Sequence, residues 1–312
     1  MKAMESHCYS LARFEQPTDK RLYIGLFVAD YIDRYQLFSN IEHYTEIIGL
    51  FMRLCAPPNV SFPGLDAICM FTTLSFFIDD QSKKGDTEHL KRYREVIKGL
   101  TTPQTKSERA LYELLELVDS LSEFDRKQGD LFKQRFLDYI AAQAWERTHI
   151  RHAKRGFRLK EYYQYRPDAI ALLPYLALLK LSEKIEDLSF HPLQKCQLLF
   201  LEQLATKIAY LDNDICSWEA ERSEPTALNL VKVLKEERAI SWNESLETVI
   251  KARDTTVALY VRNRDYALQT SDTLSLRRYL NVLECSMTGN LETMKRLKLH
   301  HLRYAPTELA TA

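Results

Sequence analysis

Apolar residues recur at intervals of three and four along almost the whole chain, and long apolar–polar alternations of the strand type are absent. The pattern predicts a helix from Asp19 to Phe38, with Thr18 or Asp19 as cap, and a second over 41–55. A strongly apolar helix runs from Leu65 to about Lys83 and stops at Gly85. Ser107–Leu121 and Arg126–Ile150 follow, then a basic loop from Arg151 to Arg158. A short pattern ends at Arg166-Pro167, and another runs from Asp168 to Leu181. Pro192–Glu221 is the longest, with proline in its first turn, where a missing N–H costs nothing. Ser241-Trp242-Asn243-Glu244 has the form of a capping box and opens a helix to about Asn263. Ser271–His300 is the last. No solenoid-length repeat and no linker rich in Pro, Gly or Ser interrupts this series, so the expectation is one all-α domain over residues 1–312 with ten or more helices.

Composition narrows the classes. Lys+Arg and Asp+Glu balance at 43 each, so no basic excess points to nucleic acid or to an anionic membrane. The basic stretch Arg151-His152-Ala153-Lys154-Arg155 has no second basic stripe to support it and is expected to be a solvated loop. Six cysteines are scattered without CxxC pairs, which argues against a zinc site or a disulfide framework and fits a reducing, cytoplasmic setting. No signal-like N-terminus is visible, and no uncharged apolar run reaches the roughly 20 residues of a membrane span.

Two places carry chemistry. In Asn213-Asp214-Ile215-Cys216-Ser217-Trp218-Glu219-Ala220-Glu221, the residues Asn213, Ser217 and Glu221 fall at i, i+4 and i+8, on one face of the longest helix. An amide oxygen, a hydroxyl and a carboxylate are hard ligands of the kind Mg²⁺ takes, and Mg²⁺ held so sparsely completes its shell with water and substrate phosphate. The second place is Asp79-Asp80, at the end of the apolar helix. Two carboxylates near a helix C-terminus lie against its partial negative charge, which either Lys83 and Lys84 or a metal cation would offset.

With these two motifs, the chain resembles the class I terpene synthases of the microbial single-domain type. Asp79-Asp80 matches the aspartate-rich motif, and Asn213, Ser217 and Glu221 match the second metal motif, (N/D)Dxx(S/T)xxxE. Arg303-Tyr304 matches the family's C-terminal RY pair, and Arg166, 47 residues before Asn213, lies close to where the family keeps a diphosphate-sensing arginine. Two departures stand out. The first motif continues Gln81-Ser82-Lys83, with Asp86 too far along to stand for the third aspartate, and Ala220 stands where a lysine commonly precedes the last glutamate. After Arg166 the family breaks a helix to present a backbone carbonyl, from Ala169, Ile170 or Ala171 here. Pro167 fits a break at that point, because it disfavours α conformation in the residue before it.

The resemblance implies a helical bundle around a central apolar pocket. In it Mg²⁺, three ions, would be held by Asp79, with Asp80 in support, and by Asn213, Ser217 and Glu221. Arg166 and Arg303 would hold diphosphate, and Tyr304 would help close the site. The substrate would be an isoprenoid diphosphate, farnesyl diphosphate before geranylgeranyl diphosphate, cyclised as a carbocation. Phe76, one turn before Asp79, and Tyr210, one turn before Asn213, are candidate pocket walls; Phe77 and Trp145 are further candidates, and Cys69 and Cys216 could approach the pocket. A homodimer is compatible with the family. The competing readings are a prenyl diphosphate synthase, which should carry two aspartate-rich motifs, and a non-catalytic helical interaction protein.

Overall fold

A computed structural model of the chain describes residues 15–83, 87–152, 156–185, 191–224 and 227–299. Twelve helices and no strand occur among them: α1 (Thr18–Tyr35), α2 (Ile41–Cys55), α3 (Phe62–Lys83), α4 (Glu88–Ile97), α5 (Lys106–Leu121), α6 (Arg126–His152), α7 (Leu159–Ala169), α8 (Leu172–Ser182), α9 (Pro192–Glu221), α10 (Leu230–Arg238), α11 (Trp242–Thr270) and α12 (Leu274–Leu299). Arg303, Tyr304, Asp86 and the His300-His301 pair lie outside the described residues.

Local chemistry explains the boundaries. Asn40 and Thr105 cap α2 and α5 through their side chains, and the Ser241–Glu244 box opens α11 as the sequence predicts. His191 caps α9 ahead of Pro192. Helices α4 and α10 are absent from the sequence reading. Each is ten residues or fewer, too short for a periodicity to stand out.

Helix α8 is buried along its length from Pro174 to Ser182, which is why its sequence is apolar all round. It packs against α3 and α6, so it occupies the middle of the bundle. Helix α3 is the one described helix long and apolar enough to cross a membrane, but most of its residues are buried within the bundle. Buried Glu202 of α9 ties α6 and α12 to that helix by accepting hydrogen bonds from Arg135 and from Tyr279. Gly289 lets α12 cross close to α2, since a Cβ there would lie 2.1 Å from the Leu54 carbonyl oxygen.

The helix does not end at Arg166-Pro167 as its periodicity suggests, but at Ile170-Ala171, among the three residues expected to present the carbonyl. Pro167 sits inside α7, near its C-terminal end, where it forfeits only the bond to the Tyr163 carbonyl, on the exposed side of the helix. The chain breaks instead at Ile170-Ala171, where Ala171 adopts φ 60, a left-handed conformation uncommon outside glycine. Pro174, in the first turn of α8, has no N–H to offer the Ile170 carbonyl four residues earlier. The break thus leaves the Ile170 carbonyl without its helical donor.

Candidate active site

A cavity of about 350 Å³ opens among α2, α3, α6, α7, α8, α9 and α12. Phe51, Phe71, Phe76 and Tyr139 give it aromatic walls, with Phe51 and Phe76 edge to face at 5.3 Å. Its charged lining comprises Asp79, Glu146, Arg147, Arg166, Glu221 and Glu224, with Asn213 among the uncharged polar groups beside them. Ala169, Ile170 and Ala171 also line it, so the break between α7 and α8 faces the same space.

The polar part is built around Asp214, whose side chain is fully buried and off the cavity lining. Arg166 donates through one Nη to both Asn213 Oδ1 (2.8 Å) and Asp214 Oδ1 (2.5 Å). The other Asp214 oxygen accepts from the Tyr162 hydroxyl (2.6 Å) and from the Leu230 N–H (2.7 Å). Burial pushes the Asp214 carboxyl up to about 6, against the opposing pull of Arg166, Tyr162 and Leu230. Burial works against the charge of the Arg166 guanidinium, but Asp214, Tyr162, Glu221 and Glu146 together outweigh it and hold the group charged. Asp214 is therefore the post on which Arg166 is mounted.

Asn229, the N-cap of α10, braces the next turns of α9. Its Nδ2 donates to the Asp214 carbonyl (3.0 Å), to Ser217 Oγ (3.2 Å) and to Glu221 Oε2 (2.9 Å). Asn213 and Glu221 line the cavity, whereas Ser217 is fully buried behind them. On α3, Asp79 lines the cavity and Asp80 does not; Asp80 accepts a hydrogen bond from Tyr44 of α2.

Among the described residues no three His, Cys, Asp or Glu side chains converge as a metal centre. A cation here would have to draw on the Asn213 amide and Ser217 hydroxyl oxygens beside the Glu221 carboxylate. Those hard donors fit Mg²⁺, once Arg166 and Asn229 yield the oxygens they now occupy.

The matching family model is described as terpene synthase family 2, C-terminal metal binding, and it spans residues 70–258, more than half of the chain. The chain belongs to this terpene synthase family. The (+)-eremophilene synthase of Sorangium cellulosum is 25% identical to it over 261 residues, 80% of this chain and 77% of that one. The (+)-T-muurolol synthase of Roseiflexus castenholzii, described as cyclizing (2E,6E)-farnesyl diphosphate, is 27% identical over 252 residues, 74% and 72% of the two chains. In fold the synthase is similar to the crystal structure of germacradien-4-ol synthase from Streptomyces citricolor, with a TM-score of 0.76 at 20% identity over 95% of this chain and 100% of that one.

Several expected wall residues of the synthase lie elsewhere. Phe77 is not on the cavity lining; it packs edge to face on Phe38 at 5.6 Å. Tyr210 turns to Tyr162, 5.9 Å between ring centres, because one turn before Asn213 the α9 face is already packed against α7. Trp145 stacks on Tyr165 at 3.6 Å. Cys55, rather than Cys69 or Cys216, reaches the cavity. The sequence reading also missed Arg147, Glu146, Asp214, Tyr162 and Asn229. Asn229 left a local signal, as a capping residue directly before the apolar run that opens α10, and Asp214 left one as the aspartate of the second motif, without its role.

Proposed function

We propose that this terpene synthase ionises a linear isoprenoid diphosphate and cyclises the resulting carbocation, with farnesyl diphosphate as first substrate and geranylgeranyl diphosphate as second. One observation carries the reading: a single cavity joins Asp79, Arg166, Asn213 and Glu221 to walls of Phe51, Phe71, Phe76 and Tyr139. Charge-binding groups and aromatic faces in one enclosure suit a substrate with an anionic head and a hydrocarbon tail. The relatives named for eremophilene and T-muurolol support the fifteen-carbon choice.

Asp79, supported by Asp80, and Asn213, Ser217 and Glu221 would hold Mg²⁺, which when bound neutralises charge growing on the leaving diphosphate. Arg166 adds a guanidinium fixed in direction by Asp214, so its charge-assisted hydrogen bonds need little reorganisation. The Ile170 carbonyl offers a dipole to the carbon that becomes cationic. Phe51, Phe71, Phe76 and Tyr139 steady positive charge as the chain folds, each worth roughly 0.5–2 kcal/mol. The same walls keep bulk water from the cation. Arg303 and Tyr304, outside the described residues, take the diphosphate-binding and closing roles that the resemblance implies. The last described turn of helix α12 lies beside α9, where Lys298 donates to Glu219 at 2.6 Å.

The test is incubation of the purified chain with farnesyl and with geranylgeranyl diphosphate, with and without Mg²⁺. Diphosphate release and cyclic products by gas chromatography–mass spectrometry, lost on chelation, are expected. A longer diphosphate formed on adding isopentenyl diphosphate would instead identify a prenyl diphosphate synthase. No turnover of either substrate would overturn the enzymatic proposal.

A further inference from the structure

Helices α6 and α7 run antiparallel, and three contacts fix their register. His149 lies 4.0 Å from the Glu161 carboxylate, Trp145 stacks on Tyr165, and Gln143 Nε2 donates to the Ala169 carbonyl at 3.2 Å. The residue number falls along α6 as it rises along α7, which defines an antiparallel pair. From the Gln143–Ala169 contact, four residues along α6 lead to Arg147, about 6 Å of rise. Three residues back along α7 lead to Arg166, about 4.5 Å of rise in the same direction. The two arginines therefore stand at nearly the same level, and both line the cavity.

Their partners differ. Arg166 is committed to Asn213 and Asp214. Arg147 is 7% exposed, and its Nε is buried with no hydrogen-bond partner among the described residues. Among the described residues, the carboxylate within ion-pair range is that of Glu146, at 3.9 Å, too far for a hydrogen bond. A guanidinium so enclosed and so poorly paired is costly unless an anion meets it. Its fork of donors matches phosphate oxygens. Ala220, on the α9 side of the same cavity, brings no charge.

We propose that Arg147 binds the diphosphate group directly, alongside Arg166, as a second cationic contact at the cavity's polar end. This deepens the proposed function and rests on it. Neutralising the head group from α6 as well as α7 and α9 supplies from another helix the positive charge that position 220 lacks.

The test is calorimetric titration of inorganic diphosphate in the presence of Mg²⁺ into the full chain and into Arg147→Gln and Arg147→Lys, with steady-state kinetics on farnesyl diphosphate alongside. Loss of a charge-assisted contact should weaken diphosphate binding by roughly ten- to hundredfold in Arg147→Gln. Arg147→Lys should recover part of that loss, and the far-ultraviolet circular dichroism of all three proteins should coincide. Unchanged diphosphate affinity in a folded Arg147→Gln, beside a wild type that turns over, would overturn this assignment and leave the proposed function standing. Glu146→Gln separates contact from packing: an Arg147 held for its ion pair alone would lose affinity equally in both variants, and that result too would overturn it. A wild type that neither binds diphosphate with Mg²⁺ nor turns over would remove both readings.

Discussion

Arg166 and Asp214 show how one residue's chemistry depends on another that never faces the substrate. Asp214 does not line the cavity, yet it receives Arg166, Tyr162 and the start of α10 together. Removing the arginine leaves a buried carboxylate without its cation, a change that typically costs about 3–5 kcal/mol. Arg166→Leu is therefore expected to lower stability as well as abolish turnover. Adding Asp214→Asn to Arg166→Leu should restore much of the stability and none of the activity. Urea melts on the two single variants and the double variant, with diphosphate release measured on each, check this coupling. Equal melting midpoints for Arg166→Leu and wild type would contradict the role given to Asp214.

At the scale of elements, two contacts decide how the helices sit. Helix α12 approaches α2 at Gly289, where a methyl group would strike the Leu54 carbonyl, and backbone cannot turn aside as a long side chain can. Gly289→Ala should destabilise the protein by about 1–3 kcal/mol through overpacking, read from chemical denaturation. Because Asn290 and Met294 of α12 line the cavity, turnover should fall with it. The second contact joins α4 to α5. Glu108 is buried, accepts from the Gln104 N–H at 2.7 Å, and is gripped by Arg92 at 3.0 and 3.2 Å. Burial alone would raise its carboxyl, but Arg92 and the Gln104 and Thr105 N–H groups outweigh it and hold it below the ordinary range. A folded-state value below the unfolded one means that this stability is present above about pH 4.3, the unfolded glutamate value. It is lost as pH falls through the lower folded value. Glu108→Gln should lower the thermal midpoint by a few degrees at neutral pH, and the gap to wild type should narrow below pH 4. A gap that stays constant with pH would show that the charge contributes nothing.

For the whole molecule, the site exists only where α3, α6, α7 and α9 meet. A ligand set that ties four helices together should stabilise the fold by mass action. Inorganic diphosphate with Mg²⁺ at about a hundredfold excess over its dissociation constant should add about 2.7 kcal/mol. Diphosphate or Mg²⁺ alone should add much less. Thermal melts in the presence of each alone and of both make the comparison, and equal shifts would argue against a shared site.

The amino-acid sequence by itself determined what is local. Helical periodicity set the all-α class, the capping box placed the start of α11, and i, i+4, i+8 spacing put Asn213, Ser217 and Glu221 on one stripe of α9. Spacing along a helix cannot say how deep that stripe is set. Only the packed structure puts Ser217 behind the cavity wall with Asn229 while Asn213 and Glu221 line it, and separates Asp79 from Asp80. It also turned Phe77 and Tyr210 away, since a helix has apolar faces towards several neighbours and periodicity does not say which borders a cavity. Pro167 misled only on where the helix ends: the break falls within the expected residues 169–171, at Ala171, where the tertiary structure supports a left-handed residue that the local sequence does not announce. Arg147 and Tyr162 left no signal at all, and Asp214, though it is the aspartate of the second motif, gave no sign that it would mount Arg166. Their meaning comes from contacts between residues far apart in the chain, and such contacts exist only after packing has chosen which helices are neighbours.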